Sequence, residues 1–196
     1  EPSHHMAYLY NYSGQPWKTE EVVREIMDDL YTHHSDGLCG NEDCGQMSAW
    51  NVYSALGFYP FCPGDTNYII GTPLFPKASL CFENGNKLQI TVRKNAPSDF
   101  YVQSASWNNA ALQKSFISHQ KLARGGTLHF EMDEKPNPLL WSRAEECPVN
   151  RMEAELIVIA PWFEYTKSVF KDSVLVKISQ PYDDASVYYS LNNSNH

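Results

Sequence analysis

The run Gly40-Asn41-Glu42-Asp43-Cys44-Gly45-Gln46-Met47-Ser48-Ala49-Trp50 decides how this chain is read, because a glycine-bracketed loop passes there into a helix. Glycines at 37, 40 and 45 permit backbone angles closed to other residues, so the loop can fold sharply and hold Glu42 and Asp43 towards a cleft. From Gln46 onward Ala49, Val52, Tyr53 and Leu56 recur at helical spacing, and Gly57 followed by Pro60 supplies a stop. Upstream, Val22, Val23, Ile26, Met27 and Leu30 predict a helix over 19 to about 33, with Thr19 as N-cap and Glu20 and Glu21 in its dipole-favoured first turn. The loop therefore joins two helices. As bare chemistry, Glu42 and Asp43 read first as acids stabilised by the N-terminus of the second helix.

Beyond Pro63 the rhythm changes to short β-branched or alternating runs: Tyr68 to Gly71, Ser79 to Phe82, Leu88 to Arg93, Phe100 to Ser106 and Leu128 to Met132. Asn84-Gly85 between two of them is a strong hairpin signal, and Trp107-Asn108-Asn109 and Arg124-Gly125-Gly126 mark further turns. The fold class is α+β, with an antiparallel sheet region after the helices. Four segments are expected: helices over 1–62, the sheet region over 63–140, a polar connector over 141–155, and a last β domain over 156–196. In that last part Leu156 to Ala160, Val174 to Ile178 and Ser186 to Leu191 have strand character. Its 41 or so residues are fewer than an independent core usually needs, so this domain is expected to be truncated.

Composition narrows the partners. A chain of 196 residues with 42% hydrophobic and 13% aromatic residues is globular. A net charge of -8 with no basic run argues against nucleic acid. Tyr, Trp, Asn and Gln suit neutral polar ligands, and equally fill cores and turns. The five cysteines at 39, 44, 62, 81 and 147 have no CxxC pair and no zinc-type spacing, so neither a zinc site nor a disulfide is predicted. No apolar stretch is long enough to span a membrane, and Glu1-Pro2-Ser3-His4-His5 is not a natural start.

Several of these motifs recur together elsewhere. Glu1-Pro2-Ser3-His4-His5, Tyr8 to Tyr12, Gly14 to Thr19, Asp36-Gly37 leading into the 40–50 run, Ser54 to Pro60, Tyr68 to Phe75, Tyr101 to Ser104, Gly125 to Leu128 and Pro136-Asn137 stand in an order and spacing similar to one family. The first 140 residues resemble the C-terminal part of the catalytic region of glycoside hydrolase family 92, the calcium-dependent exo-acting α-mannosidases. The resemblance implies that the helices are the last ones of an (α/α)6 toroid, followed by a small sheet. From about Phe163 the chain resembles the start of the small β-sandwich-like domain that ends bacterial β-hexosaminidases and chitobiases. Phe170 to Ser173 and Val187 to Ser194 carry that likeness, with Asn192-Asn193 where that family has Asp-Gly.

In the family, one carboxylic acid protonates the leaving oxygen while a carboxylate activates water on the opposite face of the sugar, the pair standing roughly 6.5–9.5 Å apart. Carried over by position, the resemblance implies Asp43 as general base and Glu42 as its neighbour. Asn41 occupies a companion position that is often aspartate in the family, and a neutral neighbour cannot raise the pKa of Asp43 by like-charge repulsion. His4, His5 and Gln46 are implied as substrate neighbours, and Glu1 as a ligand of a Ca2+ ion that contacts mannose hydroxyls. The general acid lies upstream of residue 1 in the family. The chain is therefore expected to be part of a secreted, periplasmic or cell-surface α-mannosidase acting on terminal α-linked mannose, with α-1,2 the favoured linkage. A mannose-containing glycan is its expected partner, with no protein partner expected. The alternative is a catalytically inactive carbohydrate-binding or structural remnant.

Simpler roles stand beside these. His4 and His5 equally suit a histidine pair packed beside Tyr8, Tyr10 and Tyr12. Trp17 and Trp50 suit a core more than a sugar platform, and Trp107, placed in a turn, is a candidate for exposure. His33 and His34 suit the end of the first helix, where a cation complements the dipole.

Overall fold

A computed structural model describes residues 3–149, 160–165, 169–181 and 186–189. The chain divides into two compact units, Glu1–Val149 and Asn150–His196.

The first unit opens with a 3-10 helix, Met6–Ser13, that the aromatic run Tyr8, Tyr10, Tyr12 does not announce by any helical period. It is fixed from outside: Asn11 is fully buried and its Nδ2 donates to the carbonyl oxygens of Ile70 (2.9 Å) and Ser115 (3.4 Å). Helix α1 spans Pro16–Leu30, not 19 to 33. Proline at the first helical position has no N–H to leave unsatisfied and a fixed φ suited to the helix, so α1 begins there and Thr19 is a buried helical residue, not the N-cap. Tyr31 takes an extended conformation after Leu30, and His33 and His34 lie in the loop beyond, their rings 4.2 Å apart. They do not cap the helix.

Helix α2 runs Gln46–Leu56 as the sequence predicts. Its buried side is Met47, Trp50, Ser54 and Ala55, whereas Val52 is 56% exposed and Ala49 is exposed, so the apolar stripe is turned from the predicted one. Ser54 is drawn inward because its Oγ pairs with the buried Tyr8 hydroxyl at 2.8 Å. Gly57 ends the helix at φ 90, and a Cβ there would press on the Pro73 ring at 3.0 Å.

Eight strands follow: β1 Phe58–Tyr59, β2 Asn67–Ile70, β3 Lys77–Cys81, β4 Lys87–Arg93, β5 Tyr101–Trp107, β6 Ala110–Ala111, β7 Phe116–Ser118 and β8 Gly126–Asp133, with a short helix α3, His119–Ala123, before the last. The Asn84-Gly85 hairpin joins β3 to β4 as predicted. Asn108 and Asn109, both left-handed at φ 49 and 68, make the two-residue turn between β5 and β6. The five-stranded sheet has order β3-β4-β8-β5-β6, and β8 pairs parallel with β4 and antiparallel with β5. The sheet is therefore mixed, not antiparallel. Alternation reports which face a residue occupies and not strand direction, so the insertion of β8 between β4 and β5 leaves no mark in the pattern.

The small sheet β1-β2-β7 sits between two cores. Phe58 pairs with Ile70 and Tyr59 with Ile69, so the pleat sends the first pair into the core of the large sheet and the second into the core under the helices. Trp141 and Cys147, in the segment expected as a polar connector, are buried, and Trp141 Nε1 donates to the Leu112 carbonyl at 2.9 Å. That buried indole makes 141–149 part of the first unit.

In the second unit β9, Trp162–Tyr165, pairs antiparallel with β10, Val176–Ser179, and Lys177 Nζ reaches Glu164 Oε2 at 3.3 Å. Most of the expected strand 156–160 lies outside the described residues. Residues 186–189 of the expected strand 186–191 are not in a strand, and 190–191 are outside the described residues.

Candidate functional site

The 40–50 loop folds more sharply than its glycines alone require. Gly40 and Gly45 take positive φ (107 and 94), but Asp43 and Cys44 between them are also left-handed, at φ 54 and 56. A side chain held there costs of the order of 1 kcal/mol or more, so the surrounding contacts must fix it. Those contacts come from Glu42. The Ser48 backbone N–H donates to Glu42 Oε1 at 3.0 Å, and the Ser48 hydroxyl donates to Oε2 at 2.9 Å. The Met47 and Gln46 N–H groups donate to the carbonyl oxygens of Glu42 (3.2 Å) and Asp43 (3.2 Å). Glu42 thus satisfies the first turn of α2, which otherwise has orphan donors and no side-chain cap at Gly45. The carboxylate of Asp43 is exposed and has no side-chain partner among the described residues. Asn41 is exposed beside it.

The base of the loop is fastened to aromatic core. Tyr31 stacks on Trp50 with ring centroids 5.7 Å apart and donates its hydroxyl to the Met47 carbonyl at 3.0 Å. Burial, then the proximity of Cys39 and Glu42, pushes the Tyr31 phenol up to about 12. Trp50 is 2% exposed and donates Nε1 to the His4 carbonyl at 2.8 Å, so it is a core residue that also tethers the start of the chain.

His4, His5 and Gln46 do come together, lining one cleft of about 510 Å³ with Tyr59, Phe61 and Asp65. His4 Nε2 lies 3.0 Å from Met47 Sδ, the His5 ring meets Phe61 edge-on at 5.7 Å, and Gln46 Nε2 donates to the Tyr59 hydroxyl at 3.0 Å. Asn41, Glu42 and Asp43 do not line this cleft. Sequence reasoning missed Tyr59 and Asp65. The tyrosine follows a helix stop with no recognisable spacing to Gln46, and Asp65 is the Asx-turn residue whose Oδ1 accepts the Asn67 N–H at 3.1 Å.

Glu1 lies outside the described residues. Among the described residues there is no group of three or more His, Cys, Asp or Glu placed to hold a metal. His4 and His5 offer nitrogen, whereas calcium takes oxygen, so neither imidazole suits that ion. All five cysteines are free thiols. No helix among the described residues is long and apolar enough to cross a membrane.

Two helices joined by an acidic loop and followed by a mixed sheet do not name a class of protein by themselves, and comparison with known proteins supplies it. The family model described as the glycosyl hydrolase family 92 catalytic domain matches residues 1–134. The family GH92 α-mannosidase BT3965 from Bacteroides thetaiotaomicron is 37% identical and superposes with a TM-score of 0.73, over 76% of this chain and 20% of that one. The family GH92 inverting mannosidase BT2199 from the same organism is 42% identical with a TM-score of 0.70, again over 76% of this chain and 20% of that one. A protein of Arthroderma benhamiae described as an uncharacterized secreted glycosidase is 27% identical over 138 residues, which is 69% of this chain and 18% of that protein. The chain belongs to glycosyl hydrolase family 92. It spans about a fifth of the length of these relatives.

Proposed function

We propose that this chain supplies the general-base side of an inverting exo-α-mannosidase that removes terminal α-linked mannose, preferentially α-1,2-linked, from secreted or cell-surface glycans. The observation that carries the reading is the division of labour in one loop: the Glu42 carboxylate is engaged with Ser48, while the Asp43 carboxylate next to it is exposed and has no hydrogen-bond partner among the described residues. A base must be free to accept a proton, and strain held at its backbone is a recurrent mark of a working position. Support for a mannose-shaped ligand comes from the BT3965 relative, whose structure has also been determined in complex with mannoimidazole, at 37% identity to this chain and a TM-score of 0.74. Support for inversion comes from BT2199, called an inverting mannosidase, and support for an extracellular setting from the secreted fungal relative.

In this reading the Asp43 carboxylate takes a proton from water as the oxygen attacks the anomeric carbon, and a carboxylic acid outside these residues protonates the leaving oxygen from the opposite face. Calcium dependence belongs to the same proposal, with Glu1 as one oxygen ligand, and none of the steps above runs through the ion. A second reading, a catalytically inactive carbohydrate-binding or structural remnant, has one observation in its favour: the loop offers a single free carboxylate where inversion needs two.

The test is the anomer of the product. In a protein carrying the whole family catalytic domain with these residues, NMR of α-1,2-mannobiose hydrolysis should show β-mannose first, and chelation of calcium should stop it. Release of α-mannose would contradict inversion, and undiminished turnover after chelation would remove the ion.

A further inference from the structure

Residues 100–130 contain no Asp or Glu, although the whole chain has 23 of them against 15 Lys and Arg. The acid-free segment builds β5, β6, β7 and α3. Alternation along β7 and the two residues before it sends Lys114, Phe116 and Ser118 to one side, and the three-residue step from Lys121 to Arg124 puts two more cations near one another at α3. Two hollows run past them. One, of about 480 Å³, is lined by Trp107, Asn108, Lys121 and Arg124, and the other, of about 340 Å³, by Asn67, Gln113, Lys114 and Phe116. Ser118 and Lys121 line both, so the two hollows adjoin in one groove region, and among the described residues no Asp or Glu lines either part.

The cations are placed against aromatic surface. Lys121 Nζ is 5.6 Å from the centre of the Trp107 ring and Lys114 Nζ is 5.3 Å from that of Phe116. Among the described residues none of Lys114, Lys121 and Arg124 forms an ion pair. Amides, a hydroxyl and aromatic edges suit a sugar, and three cations uncompensated by acids call for an anion. Within a Debye length of about 8 Å at physiological salt, these local charges outweigh the net charge of the chain for a short ligand. A long polyanion, by contrast, would meet the acidic remainder of the surface. We infer that the groove between β7, α3 and the β5–β6 turn binds an acidic saccharide, a sugar bearing a carboxylate or phosphate. It shares no lining residue with the cleft of His4, His5 and Gln46, and the inference does not depend on the proposed hydrolysis.

Calorimetric titration of the full 196-residue chain tests it, with trigalacturonate, mannotriose and inorganic phosphate as probes. Trigalacturonate should bind at least about tenfold more tightly than either of the others, and K121Q/R124Q should weaken it by about tenfold or more. K77Q/K87Q, two exposed cations on β3 and β4, should leave it unchanged. In NMR spectra the Trp107 indole and Asn108 side-chain amide signals should move during the titration. The inference is overturned by any of five results: no trigalacturonate binding at millimolar concentration, equal binding of mannotriose, equal binding of phosphate alone, equal loss in K77Q/K87Q, or retained affinity in K121Q/R124Q. Displacement of trigalacturonate by an equimolar single-stranded oligonucleotide would assign the groove to nucleic acid instead.

Discussion

Replacing Glu42 by alanine isolates the contact that holds the 40–48 loop. Glu42→Ala removes two hydrogen bonds, from the Ser48 N–H at 3.0 Å and the Ser48 hydroxyl at 2.9 Å. In a half-exposed setting each contributes about 0.5–1.5 kcal/mol, and a carboxylate at a helix N-terminus adds about 0.3–1 kcal/mol. Water replaces part of this at the exposed Ser48, so a loss of about 1–2.5 kcal/mol is expected. For a unit of this size each kcal/mol lowers the melting temperature by about 2–4 °C, so calorimetry should register a fall of about 2–10 °C. A double-mutant cycle separates the contact from general damage. Ser48→Ala alone removes the hydroxyl bond, and the two changes together should cost less than their sum by about 0.5–1 kcal/mol. Strict additivity, or a Glu42→Ala melting point within about 1 °C of the parent, would refute the assignment of Glu42 as the helix cap.

Three further expectations follow from the same coordinates. Burial raises the Glu20 carboxyl well above its ordinary 4.5 despite the hydrogen bond from the Val102 N–H at 3.0 Å. Because the folded pKa is the higher one, its contribution to stability is present in full below the unfolded pKa and is lost as pH rises towards the folded pKa. Urea midpoints of the parent should therefore fall from about pH 4.5 upward, and Glu20→Gln should flatten that slope; an unchanged slope would exclude Glu20 as its source. Tyr8→Phe leaves the buried Ser54 hydroxyl without its 2.8 Å partner and should cost about 1–3 kcal/mol, partly recovered by adding Ser54→Ala; full additivity in denaturant titrations would count against the pairing. Cys44→Gly at φ 56 should raise stability by up to about 1 kcal/mol, because glycine adopts that angle without strain, and a destabilised variant would show that the thiol side chain makes a contact worth more than the strain.

The parts of the fold legible in the sequence are those written in local spacing. The stripe of Val23 and Met27, the stop at Gly57 and the Asn84-Gly85 turn each encode an element by themselves, and the structure has each one. What spacing could not carry was partnership at long range. Asn11 is locked by carbonyls 59 and 104 residues away, and Ser54 faces inward for one hydroxyl on the 3-10 helix. The parallel pairing of β8 with β4 depends on which strand arrives next to which edge, a property of topology that Leu128, Phe130 and Met132 do not record. Trp107 shows the same limit: it is the last residue of β5, 8% exposed, because Lys121 and Gly126 cover a ring that the turn signal left open. At the site, the loop and its two acids were legible, but not the division between them. Only the position of Ser48 beneath Glu42 separates a capping carboxylate from a free one.

That separation is what a rate comparison of the two acids measures most directly. In a protein carrying the whole catalytic domain with these residues, Asp43→Asn should lower kcat by about 10²–10⁴-fold, the usual contribution of a general base, with KM little changed. Glu42→Gln, which keeps one acceptor for Ser48, should stay within about tenfold of the parent. An Asp43→Asn variant that retains its rate, or a Glu42→Gln variant that loses as much as Asp43→Asn, would contradict the assignment of proton abstraction to Asp43.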